Sequence, residues 1–257
     1  MNKIHACIVL ICLFFLGHFA NAQKLPNVQQ GSLRAPANIK VDGKPTEWGN
    51  KLQAYNNTVD VAYTLANDNE KLYLVIQATV ESIIKKIVMG GLTLTINSAG
   101  KRDSKNAVSV TFPVYDINYP PSYFRFNKPK TLIGLNVDSL MNLHNKALST
   151  KYKLIGLAGI ETIKDSLLSV YNAEGIKAAA LFDNSLNYTY EMAIPLKYVM
   201  LNNSKKIIYN IKINAATIDG RKLQFLPGRD IVAYTGADGA RYILGNDPQS
   251  LELNISY

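Results

Sequence analysis

Residues 59–80 read VDVAYTLANDNEKLYLVIQATV, and this stretch decides the fold class. Apolar side chains alternate with polar or small ones on both sides of the tetrapeptide NDNE at 67–70. An alternation of period two is typical of a strand with one buried face, and Asn and Asp favour tight turns. The stretch therefore predicts a β-hairpin.

The same alternation recurs along the chain. Strands are predicted at residues 92–96, 108–112 (ended by Pro113), 188–194, 207–215 and 251–257. A second hairpin is predicted from residues 167–170 and 176–181, joined by NAEG at 172–175 with Gly175 at a positive φ angle. Many short strands with few helices indicate an all-β fold, which we expect to be an antiparallel β-sandwich.

One long insertion, residues 113–150, departs from the strand pattern. Within it, residues 138–148 show the apolar spacing of a short helix, with Asp138 or Ser139 as its N-cap. Residues 196–201 predict one further helical turn that begins after Pro195. We expect one domain, residues 23–257, with one or two short helices in the insertion.

The first 22 residues have the features of an export signal. Lys3 precedes an apolar run at 6–16, and Ala20 and Ala22 occupy the positions that a signal peptidase reads. The alternative is an uncleaved anchor, but the run is shorter than the roughly 20 residues that a membrane-spanning helix needs. We expect cleavage after Ala22, a periplasmic or extracellular location, and no transmembrane segment in the processed chain.

Signal cleavage changes the inventory of reactive side chains. Cys7 and Cys12 lie in the signal, and His144 is the one histidine after residue 22. This excludes disulfides, thiolate metal sites and multi-histidine zinc sites from residues 23–257. The net charge is +9, and removal of Lys3 with the signal leaves +8. The dispersed lysines indicate a solvated surface or attraction to acidic glycans, and not a nucleic-acid partner.

Three motifs resemble a known family. Residues 39–48 read IKVDGKPTEW, residues 69–74 read NEKLYL after Tyr63, and residues 190–196 read YEMAIPL. Their order resembles that of family 9 carbohydrate-binding modules and related DOMON-like domains. The resemblance implies a β-sandwich that binds sugar and has no catalytic activity, and its clamping tryptophan pair is missing here. We expect Trp48, the single tryptophan, to pack in the core.

The insertion also carries the candidate ligand-binding residues, because flat aromatic rings can stack on a sugar. They are Tyr115, Tyr119, Tyr123 and Arg125, and Asp116, Asn118 and Lys128 could add hydrogen bonds. The neighbouring rings are Phe124 and Phe126, and a weaker cluster comprises Tyr234 and Tyr242. The alternative is that the insertion's rings cover the edge of the sandwich as part of the core.

Two other functions stay open from the sequence. A glycan-acting hydrolase would need two carboxylates about 5–10 Å apart. The available acids include Glu47, Glu81, Glu161, Glu174 and Glu191. A structural envelope protein with the same fold is the second alternative. No catalytic residue, metal ligand or cofactor is assigned, and residues 67–70 offer oxygen atoms to a structural calcium ion without the spacing of a calcium loop.

Overall fold

A computed structural model describes residues 24–49, 51–97, 107–115, 126, 128–199 and 207–215. It also describes the backbone of four strands within 217–255. The predicted signal peptide, residues 1–22, lies outside the described residues. No helix in the described ranges is long and apolar enough to cross a membrane.

The chain forms a mainly β, two-sheet structure, and the first sheet, sheet A, contains six strands. Its order is β1-β3-β4-β10-β9, and β2 also pairs with β3. The strands are β1 (Leu33–Arg34), β2 (Ala54–Asn56), β3 (Val61–Asn67), β4 (Lys71–Ala78), β9 (Lys177–Phe182) and β10 (Tyr188–Pro195).

Sheet A is mixed, which corrects the expectation of purely antiparallel sheets. Leu33 pairs with Ala66 in a parallel register, whereas β2, β4, β9 and β10 pair antiparallel with their neighbours. A parallel pair needs a crossover of a dozen or more residues, and residues 35–60 supply it. The hairpin predicted at 59–80 is confirmed, because β3 and β4 pair antiparallel with Asn67 opposite Leu72.

Sheet B is antiparallel, with five strands in the order β8-β7-β6-β5-β11. These are β5 (Leu92–Asn97), β6 (Val108–Val114), β7 (Leu154–Ala158), β8 (Leu167–Ser169) and β11 (Ile208–Ile213). A sixth strand, β15 (Leu251–Ile255), pairs with β11. Three short strands, β12 (Thr217–Ile218), β13 (Arg221–Gln224) and β14 (Val232–Ala233), pair with one another.

The main hydrophobic core lies between the two sheets. Alternate residues of each strand are buried there, as Leu74 and Ile76 of β4 and Leu92 and Leu94 of β5 illustrate. Rings from the two sheets meet directly, with the centroids of Phe112 and Tyr190 separated by 5.8 Å. The packing is therefore sandwich-like.

Three short helices accompany the sheets: α1 (Glu81–Gly90), α2 (Val137–Lys151) and α3 (Leu196–Val199). Helix α2 confirms the helix predicted in the insertion, but its N-cap is Asn136, whose side chain accepts a hydrogen bond from Ser139 N at 3.0 Å. Helix α3 confirms the turn after Pro195. Helix α1 was not expected, and it lies outside the insertion. It buries Ile83, Ile84 and Ile87, which share one helical face.

Two further strand predictions are corrected. Residues 167–181 are not a hairpin, because β8 pairs with β7 in sheet B whereas β9 pairs with β10 in sheet A. The turn between them carries the chain from one sheet to the other, with Gly175 at φ 81° as predicted. Strand β6 continues through Pro113 to Val114 instead of ending at the proline.

Candidate functional site

Glu191 joins two of the three motifs that carry the family resemblance. Its side chain is buried in β10, with 2% exposed. Oε2 accepts hydrogen bonds from the backbone N–H groups of Asp42 at 2.9 Å and Gly43 at 2.8 Å. Oε1 accepts one from Trp48 Nε1 at 3.0 Å. The opening motif is thus fastened to the strand that carries the last motif.

The carboxyl group of Glu191 is fully engaged in structure. Burial raises its pKa, the three donated hydrogen bonds lower it, and the net pKa lies above the usual value. Gly43 approaches β9 so closely that an added Cβ would lie 2.7 Å from Leu181 N, and its φ is +84°. We therefore assign this cluster to folding and not to chemistry.

The N-terminal segment that follows β1, residues 35–49 and 51–53, covers the outer face of sheet A. Trp48 is 7% exposed and packs edge-on against Tyr73, with ring centroids 6.3 Å apart. Leu52 belongs to the same small apolar cluster, which also contains Val75 and Ala193 of sheet A. This confirms the expectation that Trp48 packs in a core, and it removes this face from the surfaces that could receive a ligand.

The outer face of sheet B has a different composition. On β5, β6 and β11 the apolar residues point inward, and the polar residues between them are partly exposed. The same face of β7 and β8 carries Leu154, Gly156 and Leu167 instead. We call the polar part of this surface the hydroxyl face, and it consists of Thr93, Thr95, Ser109, Thr111, Asn210, Lys212 and Asn214.

Hydroxyl groups pair across the strands of the hydroxyl face. The Thr93 and Thr111 hydroxyls share a hydrogen bond of 2.7 Å, and those of Thr95 and Ser109 share one of 2.8 Å. Asn214 Nδ2 donates to Thr93 Oγ1 at 3.0 Å. Such cross-strand pairs stabilise a sheet. Since a hydroxyl has one donor and two acceptor sites, each pair also retains capacity for further hydrogen bonds.

An exposed aromatic ring follows β8. Tyr171 is 77% exposed, and no other aromatic side chain in the described ranges is classed as exposed. Lys153 Nζ lies 5.4 Å from the ring centroid and 3.4 Å from the tyrosine hydroxyl. Tyr171 N donates to Ser169 Oγ at 3.2 Å. The ring is therefore displayed on the surface beside a cation.

Tyr171 and the start of the insertion lie at the same end of sheet B. In the sheet register, Val114 pairs with Leu154, and Leu154 pairs with Ser169. The next hydrogen bond of the ladder runs from Val170 N to the carbonyl of Lys153 at 2.9 Å. Residue 115, the last described residue before the gap at 116–125, follows directly on this row.

The predicted ligand-binding residues fall into two groups. Tyr119, Tyr123 and Arg125 lie outside the described residues. Tyr115 is partly buried, its ring lies 6.0 Å from that of Tyr152, and its hydroxyl donates to the carbonyl of Val88. Burial raises the pKa of Tyr115, against a smaller lowering by Tyr152. Tyr115 is thus anchored at the root of the insertion.

Phe126 and Lys128, the first described residues after the gap at 116–125, are also held by contacts with other elements. Phe126 is fully buried, with its ring 5.1 Å from His144 and 4.9 Å from Phe182. The Lys128 amine donates to the carbonyl of Thr79 at 3.0 Å and to Asn187 Oδ1 at 2.7 Å. Asp116, Asn118, Phe124, Tyr234 and Tyr242 lie outside the described residues.

Sequence reasoning missed Tyr171 because residues 167–170 were assigned to a hairpin. The available signal was the pair Leu167 and Ser169, which share the exposed side of β8 and precede the turn that contains Tyr171. Leu167, 49% exposed, and Ser169 are exposed as well. A solvent-facing side of β8 followed by a turn would have indicated that Tyr171 is exposed.

Most acids that were considered for a hydrolytic pair have structural partners. Glu81 forms an ion pair of 2.7 Å with Lys85, and Glu174 accepts a hydrogen bond of 2.6 Å from the Tyr198 hydroxyl. Glu47 accepts one from Thr46, and Glu191 is engaged as described above. The described residues contain no group of three or more His, Cys, Asp or Glu side chains arranged to hold a metal ion.

The NDNE turn uses its own oxygen atoms. Asp68 Oδ1 accepts hydrogen bonds from the N–H groups of Glu70 and Lys71, both at 2.7 Å, and Oδ2 accepts one from the Tyr73 hydroxyl at 2.8 Å. Burial raises the pKa of Asp68, but these hydrogen bonds and the charge of Arg34 outweigh it and leave the pKa below its usual value. The turn closes the β3–β4 hairpin.

A cleft lies on the surface near residue 24. This open cleft has a volume of about 540 Å³, and its lining includes Lys24, Gln30 and Gln53 but no aromatic ring. Its amide groups could bind a polar molecule. It lacks the flat apolar surface that favours a sugar ring.

No family model, curated protein or solved structure matches the chain. The resemblance to family 9 carbohydrate-binding modules thus stays a prediction from three motifs.

Proposed function

We propose that the protein is a secreted, non-catalytic glycan-binding β-sandwich that holds its ligand on the outer face of sheet B. One observation carries the proposal. Sheet A is covered on both faces, whereas sheet B presents a polar face on β5, β6 and β11 and the exposed ring of Tyr171 after its edge strand β8. Export and the likeness to family 9 carbohydrate-binding modules are part of the same proposal.

The chemistry of the surface suits a saccharide. A sugar presents hydroxyl groups around its rim and C–H groups on its ring faces, so it needs hydrogen-bonding groups beside a flat aromatic ring. The hydroxyl face supplies hydroxyl and amide groups on neighbouring strands, which lie about 4.8 Å apart. Tyr171 supplies the ring. Tyr119, Tyr123 and Arg125, which lie outside the described residues, remain candidates for additional contacts.

The engagement of four acids in structural contacts supports binding rather than hydrolysis. A retaining or inverting hydrolase needs one carboxyl group to donate a proton and a second to attack or activate water. The carboxyl group of Glu191 accepts three hydrogen bonds, and that of Glu81 forms an ion pair with Lys85. Neither is presented to a ligand.

The test is a glycan array probed with the purified protein and three variants. We expect binding that Tyr171→Ala weakens about tenfold, the effect of losing about 1.4 kcal/mol of stacking and packing. Thr95→Val should weaken it a few-fold, because it keeps the side-chain shape and removes one hydroxyl. Thr46→Val, which removes an exposed hydroxyl near the covered sheet, is the control and should bind normally.

Two results would contradict the proposal. One is the absence of binding to any glycan by protein whose thermal unfolding shows that it is folded. The other is binding that neither Tyr171→Ala nor Thr95→Val changes, since the ligand would then lie elsewhere.

A further inference from the structure

We infer that the ligand is an acidic saccharide, whose sugar ring stacks on Tyr171 while its carboxylate or sulfate group binds Lys153. The inference rests on the proposed function and adds the chemical class of the ligand. Its basis is the arrangement of charge around the exposed ring.

Lys153 is placed to receive an anion. Its amine lies 3.4 Å from the Tyr171 hydroxyl and 5.4 Å from the ring centroid. Among the described residues no carboxylate pairs with this amine. An anionic group on a sugar that covers the tyrosine ring would meet the ammonium group at the edge of the same ring. A charge-assisted hydrogen bond of this kind is stronger than one between neutral groups.

The turn after Tyr171 carries a second cation and no free acid. Lys177 Nζ donates to the carbonyl of Asn172 at 3.3 Å. The acid of this turn is Glu174, and its Oε2 accepts the Tyr198 hydroxyl at 2.6 Å. The carboxylate is therefore held by α3. Lys153 and Lys177 outnumber this one carboxylate, so the three groups together carry a positive charge, which favours an anionic partner.

The turn is also rigid, which lowers the entropic cost of binding. Asn172 Nδ2 donates to the carbonyl of Ser169 at 2.8 Å and to the carbonyl of Ile176 at 2.7 Å. Tyr171 N donates to Ser169 Oγ. A ring whose backbone is fixed before binding loses less freedom when the ligand arrives.

The experiment compares polygalacturonate with its methyl ester, two polymers of the same sugar that differ in charge. We expect the purified protein to bind polygalacturonate at least about tenfold more tightly than the ester, and to lose this preference in high salt. Lys153→Gln should remove the preference and leave the affinity for the ester unchanged. Tyr171→Ala should weaken the binding of both polymers. Lys146→Gln, on the exposed side of α2, is the matched control.

The other outcomes distinguish failure of this inference from failure of the proposed function. Equal binding of both polymers that still depends on Tyr171 overturns the acidic class and leaves glycan binding in place. A charge preference that survives Lys153→Gln overturns the assignment of this lysine. Binding to vesicles containing an anionic phospholipid, with none to either polymer or to the glycan array, overturns both proposals.

Discussion

Glu191 illustrates how one buried side chain holds a long segment in place. Its two oxygen atoms accept three N–H groups from residues 42–48, which are far from it in sequence. In Glu191→Gln the side-chain NH₂ group must face either Trp48 Nε1 or the two backbone donors. At least one buried donor then loses its acceptor. We expect the free energy of unfolding to fall by about 1–3 kcal/mol in urea denaturation.

The matched control for this variant is Glu47→Gln. Glu47 is partly exposed and accepts one hydrogen bond from the hydroxyl of Thr46. Its replacement should change the unfolding free energy by less than about 0.5 kcal/mol. Equal stability of Glu191→Gln and the wild type would show that the N-terminal segment is held by its apolar contacts alone.

His144 should titrate at unusually low pH. The imidazole packs against the rings of Phe126 and Phe182, and burial lowers its pKa below the ordinary 6.5. The folded protein therefore binds this proton less readily than the unfolded chain. The resulting stability is fully present above pH 6.5 and is lost as the pH falls through the folded-state pKa.

An NMR titration of the imidazole resonances checks this expectation. His144 is the only histidine of residues 23–257, so protein expressed as residues 23–257 gives a single set of signals. The native pKa should be below that of the same protein in urea. A native value equal to or above the value in urea would contradict the assigned burial.

At the residue scale, the sequence predicted the burial of Trp48. The exposure of Tyr171 was not predictable in the same way. Whether a ring is displayed depends on which sheet the neighbouring strands join, and that choice is made by long-range packing. Tyr115 is the opposite case. The local pattern predicted that its ring binds a ligand, but contacts with Val88 and Tyr152 hold the side chain in place.

At the scale of elements, side-chain amides complete two backbone ladders of sheet A. Asn145 of α2 accepts from Phe182 N at 2.7 Å and donates to the carbonyl of Phe182 at 3.0 Å. Gln29 accepts from Leu65 N and donates to the carbonyl of Leu65, both at 2.8 Å. Each amide thus supplies the one donor and one acceptor that a residue of a neighbouring strand would supply. Satisfied backbone groups discourage pairing with a second chain.

We expect Asn145→Ala to lower the free energy of unfolding by about 1–3 kcal/mol, since two backbone groups of Phe182 lose their partner. Asn142→Ala, on an exposed position of the same helix, is the control and should have little effect. Urea denaturation measures both. Equal effects of the two substitutions would mean that the change reflects helix propensity and not the contact with β9.

Elements with a strong local pattern were predictable, and those defined by distant pairing were not. The alternation in residues 59–80 fixed a hairpin because both strands and their turn are contiguous. Strands β8 and β9 are equally close in sequence, yet they pair with β7 and β10. Helix α1 escaped prediction because its apolar run follows β4 without an interruption, although Ile83, Ile84 and Ile87 have helical spacing.

At the scale of the whole molecule, the two sheets differ in how their outer faces are used. The N-terminal segment that follows β1 packs on sheet A through Trp48 and Leu52. On its corresponding face, sheet B carries threonine, serine and asparagine along β5, β6 and β11. The sequence showed this alternation at Thr93 and Thr95, but the coverage of one sheet and not the other follows from the crossover between β1 and β3. The proposed ligand surface is the consequence of that difference.

The most direct test is a chemical-shift map of the purified protein titrated with the glycan that binds best on the array. We predict that the largest changes occur at the hydroxyl face, especially Thr93 and Thr111, and at Lys153 and Tyr171. Residues 39–48 and the cleft near residue 24 should be unaffected. Changes concentrated in either of those two regions, or no changes at saturating glycan, would contradict glycan binding on the outer face of sheet B.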